Sequence, residues 1–546
     1  MTMQPANNAQ QPVYIMQKGT EQTNGSAAQR NNIQAAKAVG SAIKTTLGPL
    51  GMDKMLIDPA GNVLITNDGV SILREIGIEH PAAKMIVEVA KTQESRCYDG
   101  TTSAVVLSGA LLEQAERLLD KGIHPTTICK GFRVAKDFCL AELDAHAKFI
   151  FSEVEREYGR DDKGLPPNQL SYFGAYSSLT GKAAEGIQEK LALLARSVIG
   201  KTESIDDIRF TSASGTNEND TFSAPGLVIE RDLASPSMPR TVSECRLLLL
   251  DCAIEPKKTN LDAQVQISNP AQVEEFLRQE EDAIRDMVEL IQQSGANVVL
   301  TQKKIDDLAL HFLKKHNISA ISSVKKSDLD AASRISGATI VSSLSNPISE
   351  GDVGDCTFHV MDKFDHDLAF ITSANSPIKT VVACGATTHV AEEVERALED
   401  AVGVAWLMKS QKGVLLGGGA TQAFLHNGLK TRCRPEGRVQ MAVDAFAEAL
   451  LQIPSAIAEN AGLDPVDELI ALTKHSLEKN YNYFIDVEPH PLPNHAHNAL
   501  KQGILEPKAL HVQAITSATE AAIMVLRIDD VIRMNPSSGQ PPMPPM

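Results

Sequence analysis

Apolar positions along the chain follow three successive rhythms. From residue 29 to about 145 they recur mostly at helical spacing, and the stretch Ser103 to Leu119 is so apolar and free of proline that it predicts a buried helix. That helix starts at the turn Asp99-Gly100-Thr101-Thr102. One interruption, Val63 to Thr66, then Asn67-Asp68-Gly69, then Val70 to Leu73, predicts a β-hairpin turning on Asn67-Asp68-Gly69. Residues 226–370 alternate differently. A long helix from about Pro270 to Gln293 carries Ile284, Val288 and Ile291 on one face. It is followed by the apolar run Val298–Thr301, a helix Ile305–Lys315, the run Ile318–Ile321, a helix opening at Ser327 and the run Thr339–Ser342. Helix-strand alternation at this spacing predicts a parallel α/β layer forming its own domain. Beyond 375 the helical rhythm returns: Val390 to Ser410 carries Val394, Ala397, Ala401 and Val404 at helical spacing with Asp400 among them, and Gly417-Gly418-Gly419 follows. Residues 1–28 are polar and predict a flexible arm, and 534–546 a Pro-rich disordered tail. The class is multidomain α/β, mostly helical at both ends.

Composition narrows the functions. A chain of 546 residues exceeds one core and predicts three or four domains. Aromatics at 4% leave few stacking platforms for single-stranded nucleic acid, and a formal charge of −17 opposes binding to a phosphate backbone. Nucleic acid is therefore not an expected partner. Eight cysteines are scattered without any Cys-x-x-Cys, which fits a reducing compartment. The first 25 residues lack an apolar or Arg-rich targeting pattern, and no apolar run reads as long enough to span a bilayer. The expectation is a cytoplasmic protein with no membrane partner.

The candidate chemistry lies in two distant glycine-punctuated turns, Thr46-Leu47-Gly48-Pro49-Leu50-Gly51-Met52-Asp53-Lys54 and Tyr98-Asp99-Gly100-Thr101-Thr102. Glycines let backbone N–H groups approach an anion, and a helix opening at such a turn adds its partial positive charge. Asp99 supplies a hard oxygen for the Mg²⁺ that accompanies a nucleotide. The spacing is not that of a Walker A loop. Each piece also has a plain structural reading. The Gly-Pro turn caps a helix, Asp99 is an ordinary N-cap, Asn67-Asp68-Gly69 is only a turn, and Asp400 belongs to a charged helix face with Glu392, Glu393, Glu395 and Glu399. If Asp400 and the triple glycine complete the site begun at Gly48 and Asp99, residues 226–370 are inserted between two halves of one nucleotide-binding domain.

The conjunction of motifs carries more than its parts. In order along the chain stand Thr46-Leu-Gly-Pro-Leu-Gly-Met-Asp-Lys-Met-Leu56, Thr66-Asn-Asp-Gly69, Ile78-Glu-His-Pro-Ala-Ala-Lys84 and Asp99-Gly-Thr-Thr102. Then come Gly417-Gly-Gly-Ala420, Glu459-Asn-Ala-Gly-Leu-Asp-Pro465, Ser517-Ala-Thr-Glu-Ala-Ala522 and Leu526-Arg-Ile-Asp-Asp-Val531. From about 29 to 533 the chain resembles the group II chaperonins, most of all the archaeal thermosome subunits and next the eukaryotic cytosolic chaperonin.

The resemblance implies an equatorial ATP-binding domain from 29–150 and 404–533, and an intermediate domain from 151–222 and 372–403. It implies an apical substrate-binding domain over 223–371, with a helical lid protrusion at about 255–285. It also assigns roles. Asp99 would ligate Mg²⁺; Leu47, Gly48, Pro49, Gly100, Thr101, Thr102 and Ser103 would hold the phosphates of ATP; Asp68 and Asp400 would position and activate water. Gly418 would approach ribose and phosphates, Asn460, Ala461 and Gly462 would line the base pocket, Glu506 would accept from the ribose, and Lys182 would sense the γ-phosphate. The implied assembly is two back-to-back rings of eight or nine same or paralogous subunits enclosing non-native protein clients, with no separate co-chaperonin. The pattern departs at Tyr98, where the family has glycine, at the preceding Arg96-Cys97, at Leu50, Leu416 and Cys384. A side chain at 98 is expected either to crowd the phosphates or to force the turn into another conformation and so to slow hydrolysis, which keeps open a weakly hydrolysing or purely structural subunit acting as a holdase.

Overall fold

The computed structural model describes residues 21–533 apart from 60, 62, 160–166, 183–184, 201, 257–269, 363, 375, 412 and 488–497. Strand β1 (Glu21–Asn24) leads into helix α1 (Gly25–Ile43). A hairpin of β2 (Lys54–Ile57) and β3 (Val63–Thr66) precedes α2 (Gly69–Glu75), α3 (Pro81–Cys97), α4 (Thr101–Asp120) and α5 (Pro125–Tyr158). Then come α6 (Pro167–Leu179), α7 (Gln188–Gly200), β4 (Ile208–Ser214) and β5 (Phe222–Pro225). The middle of the chain runs β6 (Leu227–Glu230), β7 (Thr241–Leu250), α8 (Pro270–Gln293), β8 (Val298–Thr301), α9 (Asp307–Lys315), β9 (Ser319–Ile321), α10 (Lys326–Ser336), β10 (Ile340–Val341), β11 (Gly354–Met361) and β12 (Leu368–Thr372). The return comprises β13 (Lys379–Gly385), α11 (Thr388–Ser410), β14 (Val414–Leu416), α12 (Ala420–Thr431), α13 (Val439–Leu450), α14 (Gln452–Asn460), α15 (Pro465–Leu477), α16 (Ala499–Gln502), β15 (Leu505–Pro507), α17 (Lys508–Leu526) and β16 (Asp530–Arg533).

The helices start where local chemistry dictates. α3, α5 and α15 each open on a proline, whose fixed φ suits the first turn and whose missing N–H would have been unpaired there. The residue before each proline caps the helix: His80 Nδ1 accepts from the Ala82 amide at 3.2 Å, His124 Nδ1 from Thr126 at 3.3 Å, and Asp464 Oδ1 from Val466 at 2.8 Å.

Three main apolar cores organise the chain. The first is built from both ends, joining Ile33, Val105, Leu111, Phe132 and Leu143 to Phe446, Ile515 and Val525; the rings of Phe132 and Phe446 meet edge to face at 5.7 Å. The second lies wholly within 227–378 and packs Ile284, Val288 and Ile291 of α8 against the sheet, as their helical spacing predicts. That sheet has the order β6-β12-β11-β7-β8-β9, with β10 beside β7; the β7-β8-β9 pairs are parallel and the β6-β12-β11-β7 pairs antiparallel. The third joins Ala175 and Leu191 of α6 and α7 to Val381 and to Val394, Ala397 and Ala401 of α11, beside a sheet in which β13 pairs with β4 and β5. The chain thus enters the middle core through β6, leaves it through β12, and returns to the first core along α11.

Some expectations change. Asn67-Asp68-Gly69 does not turn a hairpin: β3 pairs backwards with β2, register Lys54 to Thr66, and Asp68 caps α2. The expected flexible arm gives way at Glu21, because Glu21 to Asn24 pair antiparallel with Asp530 to Arg533 and α1 begins at Gly25. Val439–Asn460 and Lys508–Leu526 are long and apolar enough to cross a membrane by length and composition, contrary to the reading of no such run. Most of each is instead buried within the fold. The tail at 534–546, residues 1–20 of the arm and 257–269 of the expected protrusion lie outside the described residues.

Candidate functional site

A cavity of about 610 Å³ opens where the first and third cores meet. Its walls include Leu47, Gly48, Pro49, Asp68, Asp99, Gly100, Thr101, Thr102, Ser103, Lys182, Asp400, Gly418 and Glu506, so the separated sequence motifs converge on one space. Two helix N-termini reach it without side-chain caps. α4 starts at Gly100, with φ 77°, and α12 at Gly419, with φ 87°; neither has a side chain to satisfy the first amides. Uncapped N–H groups backed by a helix dipole attract an anion. α4 has 20 residues, enough for the full terminal partial charge.

The carboxylates are held in different ways. Asp68 accepts from the Ser71 amide at 2.8 Å and the Val70 amide at 3.3 Å, and Thr101 Oγ1 lies 3.5 Å away. Capping and a fixed carboxylate are therefore one arrangement at this residue. Asp99 Oδ1 accepts from the Gly100 amide at 2.7 Å, while the buried Gln93 side chain donates to the Asp99 carbonyl at 3.0 Å and the Leu510 carbonyl at 3.3 Å. Asp400 comes from α11 and accepts from Lys182 Nζ at 2.5 Å; the same nitrogen lies 4.0 Å from Asp99. The Lys182 and Asp400 side chains are 15% and 24% exposed, facing the cavity and not bulk solvent.

Charge in this site is unbalanced. Burial pushes the Asp400 carboxyl up to about 8, Lys182 opposes the shift, and Asp99 and Asp68 add to it. Burial would lower Lys182, but Asp400 and Asp99 outweigh it and hold the ammonium well above its usual range. Three carboxylates share one lysine, a donor set of hard oxygens that a divalent cation would fit. Among the described residues no group of three or more His, Cys, Asp or Glu forms a ready-made metal cage. A cation here would therefore share its shell with ligand oxygens, as Mg²⁺ does with phosphates.

Backbone fit explains the glycines. Gly48 has φ 89°, and Gly181, with φ 77°, lies so close to the other turn that a Cβ would sit 2.7 Å from Pro49 and 2.9 Å from the Gly48 carbonyl. Asn67 Nδ2 donates to the Gly181 carbonyl at 2.8 Å, tying the Lys182 turn to the segment that carries Asp68. Gly418 has φ 59°, and a Cβ there would meet Phe484 at 2.6 Å. Glu506 on β15 has His511 Nε2 at 2.7 Å from Oε2. Part of the wall is apolar, with Ile453, Ile457, Phe484, Ile485 and Leu510.

One expectation is corrected. Asn460, Ala461 and Gly462 do not line the cavity. Asn460 stands behind it, donating to the carbonyls of Lys44 at 3.0 Å and Leu47 at 2.7 Å, so it braces the phosphate-type turn. Tyr98 does not line the cavity either: its ring lies on Gly403 of α11. Asn67, Gln93, Gly181, Phe484 and His511 escaped the sequence reading. Gly181 stood beside Lys182 in Leu179-Thr-Gly-Lys182, and Asn67 beside Asp68, but the partners that give them work are distant in sequence.

A split helical base with an anion cavity, a helix that bridges to it from a small middle core, and an inserted sheet unit define the chaperonin class. The chain belongs to the TCP-1/cpn60 chaperonin family, whose model matches residues 39–536, and within it to the group II chaperonins. It is 39% identical over 536 residues to the thermosome subunit beta of Thermoplasma acidophilum, covering 96% of this chain and 95% of that one. It is 41% identical over 540 residues to the thermosome subunit of Methanocaldococcus jannaschii, covering 97% and 96%. It is also 42% identical over 531 residues to the thermosome subunit alpha of Methanothermobacter thermautotrophicus, covering 96% and 94%.

Proposed function

We propose that this chain is an ATP-hydrolysing subunit of a cytosolic double-ring chaperonin that binds and encloses non-native proteins. The observation that carries the reading is the meeting of Asp400, borne by α11, with Lys182, Asp99 and Asp68 at the uncapped start of α4. The uncapped amides at Thr101 to Ser103 and the Leu47-Gly48-Pro49 turn suit a polyphosphate, and the apolar wall around Ile457 and Phe484 suits a base. Asp99 would hold Mg²⁺, which when bound offsets charge on the phosphates. Asp68, fixed by two amides, and Asp400 orient the attacking water and receive its proton, and Lys182 faces the terminal phosphate. Glu506 accepts from the ribose, and Gly418 lets it approach.

In this reading the first core corresponds to the equatorial domain, the second to the apical and the third to the intermediate. α11 belongs to the intermediate one, so Asp400 reaches the nucleotide only when that hinge closes, and hydrolysis is coupled to movement of the 223–371 unit. The protrusion at about 255–285 closes the chamber, with no separate co-chaperonin, and eight or nine same or paralogous subunits form each ring. Electron microscopy of the purified protein, without nucleotide and with hydrolysing Mg-ATP, tests this. Double rings whose distal ends close with nucleotide, together with ATP-dependent refolding of a denatured client, are expected; particles unchanged by ATP and a client never released overturn it.

A further inference from the structure

Two residues that break local preference meet at one point. Tyr98 ends α3 in the left-handed region at φ 62°, a conformation that side chains other than glycine rarely adopt. Gly403 lies inside α11, where glycine is the poorest ordinary helix former. A single contact accounts for both. A Cβ on Gly403 would overlap the Tyr98 Cγ, with Tyr98 Cβ and Cδ1 only 2.5 Å away, so the ring lies directly on the α11 backbone. One turn further along α11, Leu407 is buried with Cys97 and Leu510, and Tyr98 and Ala509 pack on the same cluster. The end of α3 and the start of α17 therefore grip α11 at this notch.

The grip sits next to the chemistry. Asp99 directly follows Tyr98, and Asp400 precedes Gly403 by three residues, on a neighbouring part of the same helix surface. Locally costly choices that support one another are expected where geometry is under functional demand. Resting on the catalytic reading above, we infer that Tyr98 is a positioning residue: its ring, keyed into the Gly403 notch, sets the height and rotation at which α11 delivers Asp400 to Lys182 and Asp99. It latches the hinge in its closed arrangement and does not touch the nucleotide.

The test uses the full-length assembled protein and measures kcat and KM for ATP in Tyr98→Phe, Tyr98→Gly, Gly403→Ala, the Tyr98→Gly/Gly403→Ala double variant and Asp400→Ala. Tyr98→Phe keeps the ring and stays within about twofold of wild type, whereas Tyr98→Gly lowers kcat roughly fivefold or more with KM changed less than about twofold. Gly403→Ala collides with the ring and lowers kcat by at least about tenfold; the double variant, having no ring to strike, returns to about the Tyr98→Gly rate. Trp406, the only tryptophan in the chain, also lies on α11, and its emission change on adding Mg-ATP is expected in wild type and Tyr98→Phe and weakened in Tyr98→Gly. Turnover and emission change in Tyr98→Gly within twofold of wild type, while Asp400→Ala is inactive, would overturn the latch alone. Losses that multiply in the double variant overturn it as well. Wild-type turnover in Asp400→Ala instead overturns the catalytic reading, and the latch with it.

Discussion

Asp68 joins two tasks in one side chain, and substitutions can separate them. Asparagine keeps an acceptor for the α2 amides but loses the charge and the capacity to take a proton. Asp68→Asn should therefore unfold near the wild-type urea midpoint yet release phosphate about a hundredfold more slowly. Asp68→Ala should lose the same activity and about 1 kcal/mol of stability with the cap. Asn460 makes a different case. Its two hydrogen bonds to Lys44 and Leu47 brace the Gly48 turn from outside, so Asn460→Ala should destabilise by about 1 kcal/mol and raise KM for ATP with little change in kcat. Urea melts and steady-state kinetics check both. At this scale Asp68, Asp99 and Asp400 were legible only through the ordered conjunction of motifs, because each alone also reads as a turn, a cap or part of a charged helix face. The bracing role of Asn460 was not, because its partners are main-chain carbonyls more than 400 residues away.

Helix spacing made α8 and α11 readable before any fold was known, and the unbroken apolar run made α4 readable, because it is buried nearly all round. The hairpin was misread for a physical reason. A four-residue apolar run such as Val70 to Leu73 fits a strand or one helical turn equally, and the two amides accepted by Asp68 decide for the helix. The true partner of β3 is β2, whose run Met55-Leu-Ile57 has no apolar/polar alternation in sequence although Met55 and Ile57 are exposed and Leu56 is partly buried. Close helix crossings have their own test. A Cβ added to Gly131 of α5 would collide with Ala442 on α13 and sit 2.9 Å from the Val439 carbonyl. Overpacking of this kind should cost Gly131→Ala about 1–3 kcal/mol, read from thermal or urea unfolding, without altering KM for ATP in the protein that remains folded.

Across the whole molecule, burial makes the first core acid-sensitive. His146 stacks on Phe424 with ring centroids 3.8 Å apart, and burial, with some help from His511, pushes its imidazole down to about 4 from 6.5. The folded state keeps it neutral while the unfolded chain takes up a proton. Its contribution to stability is thus complete above pH 6.5 and is lost as pH falls towards 4, on the order of 3 kcal/mol in all. His146→Gln should flatten that part of the stability profile measured by urea unfolding between pH 7 and 4. The inserted α/β layer was visible as a change of rhythm, but the cavity was not visible in any single stretch. Its walls come from both ends and from α11, and only folding brings Gly48, Asp99, Lys182, Asp400 and Glu506 together. Coupling between nucleotide and hinge is the central claim, and phosphate release with Mg-ATP by wild type and Asp400→Ala tests it most directly. Magnesium-dependent turnover in wild type, reduced about a hundredfold or more in a variant that still binds ATP, is the expected result; equal turnover in the two proteins would contradict the account.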